Sequence, residues 1–194
     1  SSICYNGANL GITSDIDNQA RQSSPDIGAD EVVGNANDLS IDAIVSPTSS
    51  SVSAGPINIT VLLRNVGTNA VTSGNLTYVL NGGSPVVIAI PSTINTCDTL
   101  SMTLTGLTMV SGTNTFVAFT SQPNGTTDAN FSNDTIKQNY CTPMSGTFTV
   151  GGASPDYANF TAAVAALNCG GINGPVVFNV RGGTYNESIQ INSI

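Results

Sequence analysis

The stretch "INITVLLRN" (57–65) decides the fold. Ile57, Ile59, Val61 and Leu63 alternate with Asn58, Thr60, Leu62 and Arg64. In a strand, successive side chains point to opposite faces, so these four aliphatic residues form one apolar face that needs a partner layer. Similar short, β-branched runs lie on either side. They are "LSIDAIVS" (39–46), "NLTYVL" (75–80), "PVVIAI" (85–90), "TLSMTLTGL" (99–107), "NTFVAFT" (114–120) and "NDTIKQNY" (133–140). Turn-forming segments separate them, including "NGG" after Leu80, a good tight hairpin. Seven short strands with frequent turns, spread over about 100 residues, predict an antiparallel β-sandwich. We place it at 39–141, after a small polar linker at 34–38 within "VGNAND" (33–38).

Composition narrows the function classes. Of the 194 residues only 8% are charged, against about 25% in an average soluble domain. Asn, Ser, Thr and Gly carry the polarity. The net charge is −8, and the only cations are Arg21, Arg64, Lys137 and Arg181. A phosphate backbone requires clustered Lys and Arg, so nucleic acid is excluded as a partner, and insertion into a membrane is not expected. No apolar run approaches the roughly 20 residues of a membrane-spanning helix. There is no histidine, and the four cysteines (Cys4, Cys97, Cys141, Cys169) form no CxxC pair. Zinc is therefore not suggested, whereas an even cysteine count in a Ser/Thr/Asn-rich chain suits an oxidising compartment.

The sandwich region resembles the CARDB-type immunoglobulin-like modules, named for bacterial cell-adhesion-related proteins. The residues that carry the resemblance are "LRNVGTNAV" (63–71), "YVLNGG" (78–83), "LTGLTMVSGTNTFVAF" (104–119) and "NFSNDTIKQNY" (130–140). Within them, Gly67 permits a turn after a core strand, and Gly112 and Asn114 turn the chain into the next strand. A fold alone assigns no function.

After Cys141 the pattern changes. "SGTFTVGG" (145–152) reads as a strand and "SPDYANFTAAVAALNCGG" (154–171) as a helix. Ser154 can cap this helix, with Pro155 in its first turn. Phe160, Ala163, Val164 and Leu167 lie at helical spacing, and Gly170 can end it. The strands "PVVFNV" (175–180) and "ESIQI" (187–191) follow. This order, with "GTYNESI" (183–189), resembles the opening of a right-handed parallel β-helix of the pectin-lyase type, whose first helix covers the end of the coil stack. Tyr185 and Glu187 match that family's turn, and Ile189 and Ile191 its inward ladder. At the other end, "SDIDNQARQSSPDIGADE" (14–31) resembles the last turn of such β-helices in large exported proteins of the Bacteroidota. The resemblances together imply a mainly β chain. Its expected parts are the end of one parallel β-helix at 1–33, an Ig-like sandwich at 39–141, and the cap and first coil of another β-helix at 142–194. A solenoid needs several repeats, so further chain, or another copy, is expected beyond Ser1 and Ile194.

Candidate sites are few. Asp15, Asp17, Asp26, Asp30 and Glu31 are possible calcium ligands, because a hard cation prefers carboxylate oxygens. However, "DIDNQA" lacks the EF-hand glycine and its later ligands, and Asp is a favoured turn residue in any case. No catalytic residue and no cofactor is expected. Acid–base chemistry on a β-helix needs assembled carboxylates, or a carboxylate with a cation, and the third section offers only Asp156, Arg181 and Glu187. Tyr78, Tyr140 and Tyr157 can contact sugars if exposed, but there is no Trp and aromatics are 6% of residues. Seven N-x-S/T sequences begin at Asn58, Asn75, Asn124, Asn130, Asn133, Asn159 and Asn186, as expected by chance in an Asn-rich chain. "DTL" (98–100) and "DTI" (134–136) resemble O-glycosylation sites of exported Bacteroidota proteins, which makes Thr99 and Thr135 candidates. For the cysteines, a Cys141–Cys169 bridge would pin the covering helix. Cys4 could pair with Cys97 or with a residue outside this chain. Spacing alone does not fix connectivity.

The expected role is that of a non-enzymatic structural spacer in a large secreted cell-surface protein. By resemblance such proteins act as adhesins or in surface motility, and many leave the cell by type IX secretion. The expected partners are neighbouring domains of the same chain, further copies of it, or surface glycans. The alternatives are an accessory module of a β-helix carbohydrate-active enzyme, or a glycan-binding adhesin domain.

Overall fold

The computed structural model describes residues 11–14, 16–18, 20 and 34–192. Seven strands form two antiparallel sheets: β1 (Leu39–Ser46), β2 (Gly55–Asn65), β3 (Asn75–Leu80), β4 (Val86–Ala89), β5 (Thr99–Met109), β6 (Gly112–Ser121) and β7 (Thr135–Thr142). One sheet has the order β1-β2-β5 and the other β4-β3-β6-β7. Their apolar faces meet in a core that includes Leu39, Ile59, Val61, Leu63, Leu76, Phe116 and Tyr140, all 0% exposed. Ile57, the fourth aliphatic residue of the β2 alternation, is half-buried and packs against that core.

Two local devices set the register. In β5 the spacing of buried residues slips: Met102 and Leu104 are two apart, then Leu107 and Met109 resume three residues after Leu104. A β-bulge absorbs the extra residue. Ile57 pairs with Leu107 while Ile59 pairs with Leu104. Gly106 supplies φ +71° in the bulge, and its N–H donates to Asn58 Oδ1 at 3.2 Å. At the β3–β4 hairpin, Asn81 and Gly82 both have positive φ (52° and 67°), as a primed turn requires.

Buried asparagines tie down the turns. Asn65 donates to the carbonyls of Asn69 and Ile94 (both 2.8 Å) and accepts from Gly67 N (2.9 Å). Gly67 is required for a reason the sequence does not reveal. A Cβ there would stand 2.8 Å from Ala36 O and from Asp38 N, so its role is close approach rather than an unusual φ. The 34–38 stretch lies on the sandwich: Val66 N donates to Asp38 O (2.9 Å) and Thr68 N to Asn35 O (2.8 Å).

Beyond the sandwich, β8 (Met144–Val150), α1 (Phe160–Gly170) and β9 (Ile172–Val180) form a βαβ unit with β8 and β9 parallel. Here the structure corrects three expectations. First, the helix begins at Phe160 with Asn159 as its cap, Asn159 Oδ1 accepting from Ala162 N at 2.9 Å. Ser154 and Pro155 are outside it. The "SPDY" run instead folds back on β8, where Asp156 Oδ2 accepts from Thr149 N and Oγ1 (both 2.7 Å) and Tyr157 N donates to Thr149 O (3.0 Å). Those bonds hold the backbone away from helical geometry. Second, Gly171, one residue after the expected stop, caps the helix at φ +68°. Third, residues 187–191 form no strand. Glu187 and the backbone of Gln190 and Asn192 are hydrogen-bonded to α1, which draws this segment along the helix instead of beside β9. No β-helix coil is therefore formed among the described residues.

Candidate functional site

Two places concentrate the structure's unusual chemistry: the splice between the sandwich and the βαβ unit, and the acidic end of the sandwich.

At the splice, one residue, Pro143, separates β7 from β8. Cys141 of β7 and Cys169 of α1 are joined by a disulfide, with Cα atoms 5.3 Å apart. Thr142 is 0% exposed, and its hydroxyl donates to the carbonyls of Val110 and Gly112. Met144 N donates to Gly171 O at 2.9 Å. The helix sits against β6, where a Cβ on Gly112 would lie 2.9 Å from both Ala166 Cβ and Tyr157 Oη. Gly112 also has φ +90°, so both space and conformation select glycine. Behind the splice is a small second core. Met144, Ala166 and Leu167 are buried, with Phe148, Tyr157, Val176 and Phe178 packed around them. Phe148, Tyr157 and Phe178 form an aromatic triad with centroids 5.8–6.2 Å apart.

The helix is capped from a distance. The Glu187 carboxylate accepts from Phe160 N (3.1 Å), from Thr161 N (2.7 Å) and from the Thr161 hydroxyl. It thereby satisfies two of the orphan amides of the first turn. These bonds, the Thr161 hydroxyl foremost, hold its carboxyl below the usual glutamate range. Tyr185 stacks edge-on against Phe160 at 5.1 Å.

At the opposite end, Asp38, Asp128 and Asp134 gather where β1 begins and the β6–β7 loop ends. They are 5%, 4% and 5% exposed. Asp128 is fully engaged, Oδ2 accepting from Leu39 N (2.9 Å) and Oδ1 from Asn130 N (3.0 Å). Asp38 accepts from the amides of Asn133 (2.8 Å) and Asn35 (3.2 Å). Asp134 Oδ1 is buried without a hydrogen-bond partner, as is Asn133 Oδ1. Burial, followed by the charges of Asp128 and Asp38, pushes the Asp134 carboxyl up to about 7. Burial also raises that of Asp128. No local pattern in the sequence marks this cluster. Its only signal was three aspartates flanking core strands in a chain with 12 acidic residues.

The other candidates fare differently. Asp17 is exposed, while Asp15, Asp26, Asp30, Glu31 and Cys4 lie outside the described residues. Cys97 is disulfide-bonded. Thr99 and Thr135 are both exposed at strand starts. Tyr140 is 0% exposed and belongs to the core, so it offers no sugar platform, and Tyr78 and Tyr157 are half-buried. Asp156 accepts from the backbone amide of Thr149, and Glu187 from those of Phe160 and Thr161. Several N-x-S/T asparagines do structural work. Asn124 accepts from Thr72 N (2.8 Å) and donates to Asn37 Oδ1 (2.8 Å), and Asn159 caps α1.

No family model matches the sequence, and no curated protein matches it. Among solved structures, the chain is similar to the CARDB domain of the PF1109 protein from Pyrococcus furiosus, crystallised in complex with di-metal ions. That match has 16% identity and a TM-score of 0.44, covering 57% of this chain and 92% of that one. The solution structure of the same domain matches at 17% identity and a TM-score of 0.45, covering 55% and 94%. A domain of a protein ascribed to the cell surface in Methanosarcina acetivorans matches at 16% identity and a TM-score of 0.43, covering 54% and 90%.

Proposed function

We propose that this chain is a non-enzymatic spacer segment of a large exported cell-surface protein, holding neighbouring domains at a set distance and orientation. The observation that carries the reading is the splice. Consecutive domains swivel by default unless their interface is extensive. Here a one-residue connection, a disulfide and a helix packed against β6 and β7 oppose that freedom. The disulfide also favours an oxidising, extracellular setting. In this reading β8, α1 and β9 open a longer solenoid. Exposed Val177, Val180, Ile189 and Ile191 would be covered by the next segment of the same chain or by another copy. The role is adhesion or surface motility, with surface glycans as further partners.

Two measurements test it. Residual dipolar couplings on the oxidised protein should fit a single alignment tensor across residues 39–180; separate tensors for sandwich and βαβ unit would refute a rigid spacer. Protease shaving of intact cells should release peptides from 39–142. Their release only after lysis would refute the surface location.

A further inference from the structure

Four Asn-Gly pairs occur in the chain, beginning at Asn6, Asn81, Asn124 and Asn173. The pair has a chemistry of its own. The backbone nitrogen of the second residue can attack the side-chain carbonyl carbon of the asparagine. Glycine, with no Cβ, obstructs that attack least and leaves the backbone freest to reach it. The fold decides whether the reaction runs, because the asparagine side chain must rotate onto the chain that follows it.

The structure treats the pairs differently. Asn81, in the β3–β4 turn, is held at both ends of its amide: Nδ2 donates to Asn114 Oδ1 (2.9 Å) and Oδ1 accepts from Thr115 N (2.8 Å). Asn124 is held more firmly. Its Oδ1 accepts from Thr72 N (2.8 Å) and the Thr72 hydroxyl (3.0 Å), and its Nδ2 donates to Asn37 Oδ1 (2.8 Å) and Ala70 O (2.9 Å). Asn6 lies outside the described residues. Asn173 is exposed, and its side chain has no hydrogen-bond partner among the described residues.

The backbone at Asn173 is released as well. Ile172 pairs with Met144 and Val176 with Gly146, so residues 173–175 stand opposite Ser145 alone. Surplus residues in a bulge leave the hydrogen-bonded ladder, and Pro175 has no N–H with which to rejoin it. β9 also has a strand neighbour on one side only, being half of a two-stranded sheet. Packing favours glycine at 174, where a Cβ would lie 3.0 Å from Ser145 Cβ, so the reactive pair comes with the bulge.

We propose that Asn173 is a site of spontaneous modification, at which the chain converts its own asparagine to aspartate and isoaspartate with water as the co-reactant. The Gly174 nitrogen loses its proton to solvent base and bonds to Asn173 Cγ. The Cγ–Nδ2 bond breaks, and Nδ2 leaves as ammonia after taking a proton from solvent. Water then opens the cyclic imide. Opening at one carbonyl gives aspartate, and opening at the other gives isoaspartate, whose main chain runs through the former side chain. No atom is oxidised or reduced. Either product places a new negative charge at the start of β9. Isoaspartate also lengthens the main chain by a methylene, inside a bulge that already holds surplus residues, so the pairing of Val176–Val180 with β8 is kept. The site does not depend on the spacer reading.

The test is peptide mapping by mass spectrometry of the whole 194-residue chain, incubated folded and disulfide-bonded at pH 8, with electron-based fragmentation to tell isoaspartate from aspartate. The peptide containing Asn173 should gain the mass of an amide-to-acid conversion and contain both products. Conversion there should be about tenfold faster than at Asn81 or Asn124, each of which must first break two or more hydrogen bonds. In urea, where those bonds are gone, the three rates should converge. Asn173→Gln should abolish the gain in that peptide, because its longer side chain closes a larger ring, and its amide spectrum reports whether the fold is kept. Conversion at Asn173 no faster than at Asn81 and Asn124 in the folded chain would overturn the proposal. So would a gain that persists in Asn173→Gln, which would place the reaction on another residue of the peptide, or a rate difference that survives in urea, which would remove the fold as its cause.

Discussion

Removing the Cys141–Cys169 bridge should uncouple the βαβ unit while leaving the sandwich folded. The two cysteines are 28 residues apart. Freeing a loop of that length restores unfolded-state entropy worth about 3.6 kcal/mol at 25 °C in the chain-entropy account. The unit has little with which to offset that loss. Its buried apolar side chains are Met144, Val150, Ala163, Val164, Ala166 and Leu167 with a partly exposed aromatic rim, and a small core supplies only a few kcal/mol. The sandwich core (Leu39, Ile59, Val61, Leu63, Phe116 and others) shares no side chain with it. The perturbation is the double variant Cys141→Ser, Cys169→Ser, chosen over reductant because Cys97 is also disulfide-bonded. The assay is hydrogen exchange followed by mass spectrometry, which reads local opening directly. Amides in β8, α1 and β9 should lose protection by a few hundred-fold, the equivalent of that free energy. Amides in β2, β5 and β6 should change by less than threefold. Unchanged protection in the βαβ unit would refute the argument that its own core is insufficient. An equal loss in β2 and β5 would refute the separation of the two cores.

Four further outcomes follow from the geometry. Gly67→Ala should lower thermal stability by more than 2 kcal/mol, because the new Cβ meets backbone atoms of residues 36 and 38. Gly82→Ala, with nothing within 4 Å and only a positive φ to accommodate, should cost about 1 kcal/mol in the same melts. Glu187 should titrate below the usual glutamate range by NMR and return towards it in Thr161→Val. Its depressed carboxyl stabilises α1 at pH values above the ordinary glutamate range, and that stabilisation is lost as pH falls through the folded-state value. Asp134 has the opposite sign. Its carboxyl is raised from 3.8 to about 7, so its protonated form favours folding, and that contribution fades as pH rises through this window. Asp134→Asn should therefore raise the denaturation midpoint at pH 8 and change it little at pH 4.

Much of the fold was legible because strand and core face are near-neighbour properties. Alternation in "INITVLLRN" placed Ile59, Val61 and Leu63 in the core. The turn chemistry of "NGG" placed the β3–β4 hairpin. The limits of local reading show at the helix start. "SPDY" has good capping residues, but Asp156 finds better partners on Thr149, across a strand end no local pattern reveals. The "ESIQI" run has strand composition, yet Glu187 and Asn168 bind it to the helix. The acidic cluster was the least accessible feature of all. Asp38, Asp128 and Asp134 meet through bonds spanning 89 and 95 residues, Asp128 to Leu39 and Asn133 to Asp38. Within the sandwich, the sequence by itself determined which segments would be strands and which faces would be buried, because both follow from the period of apolar side chains. Tertiary structure decided where distant carboxylates converge and which oxygen is left without a donor. Those depend on sheet order and loop path, which pattern alone does not specify.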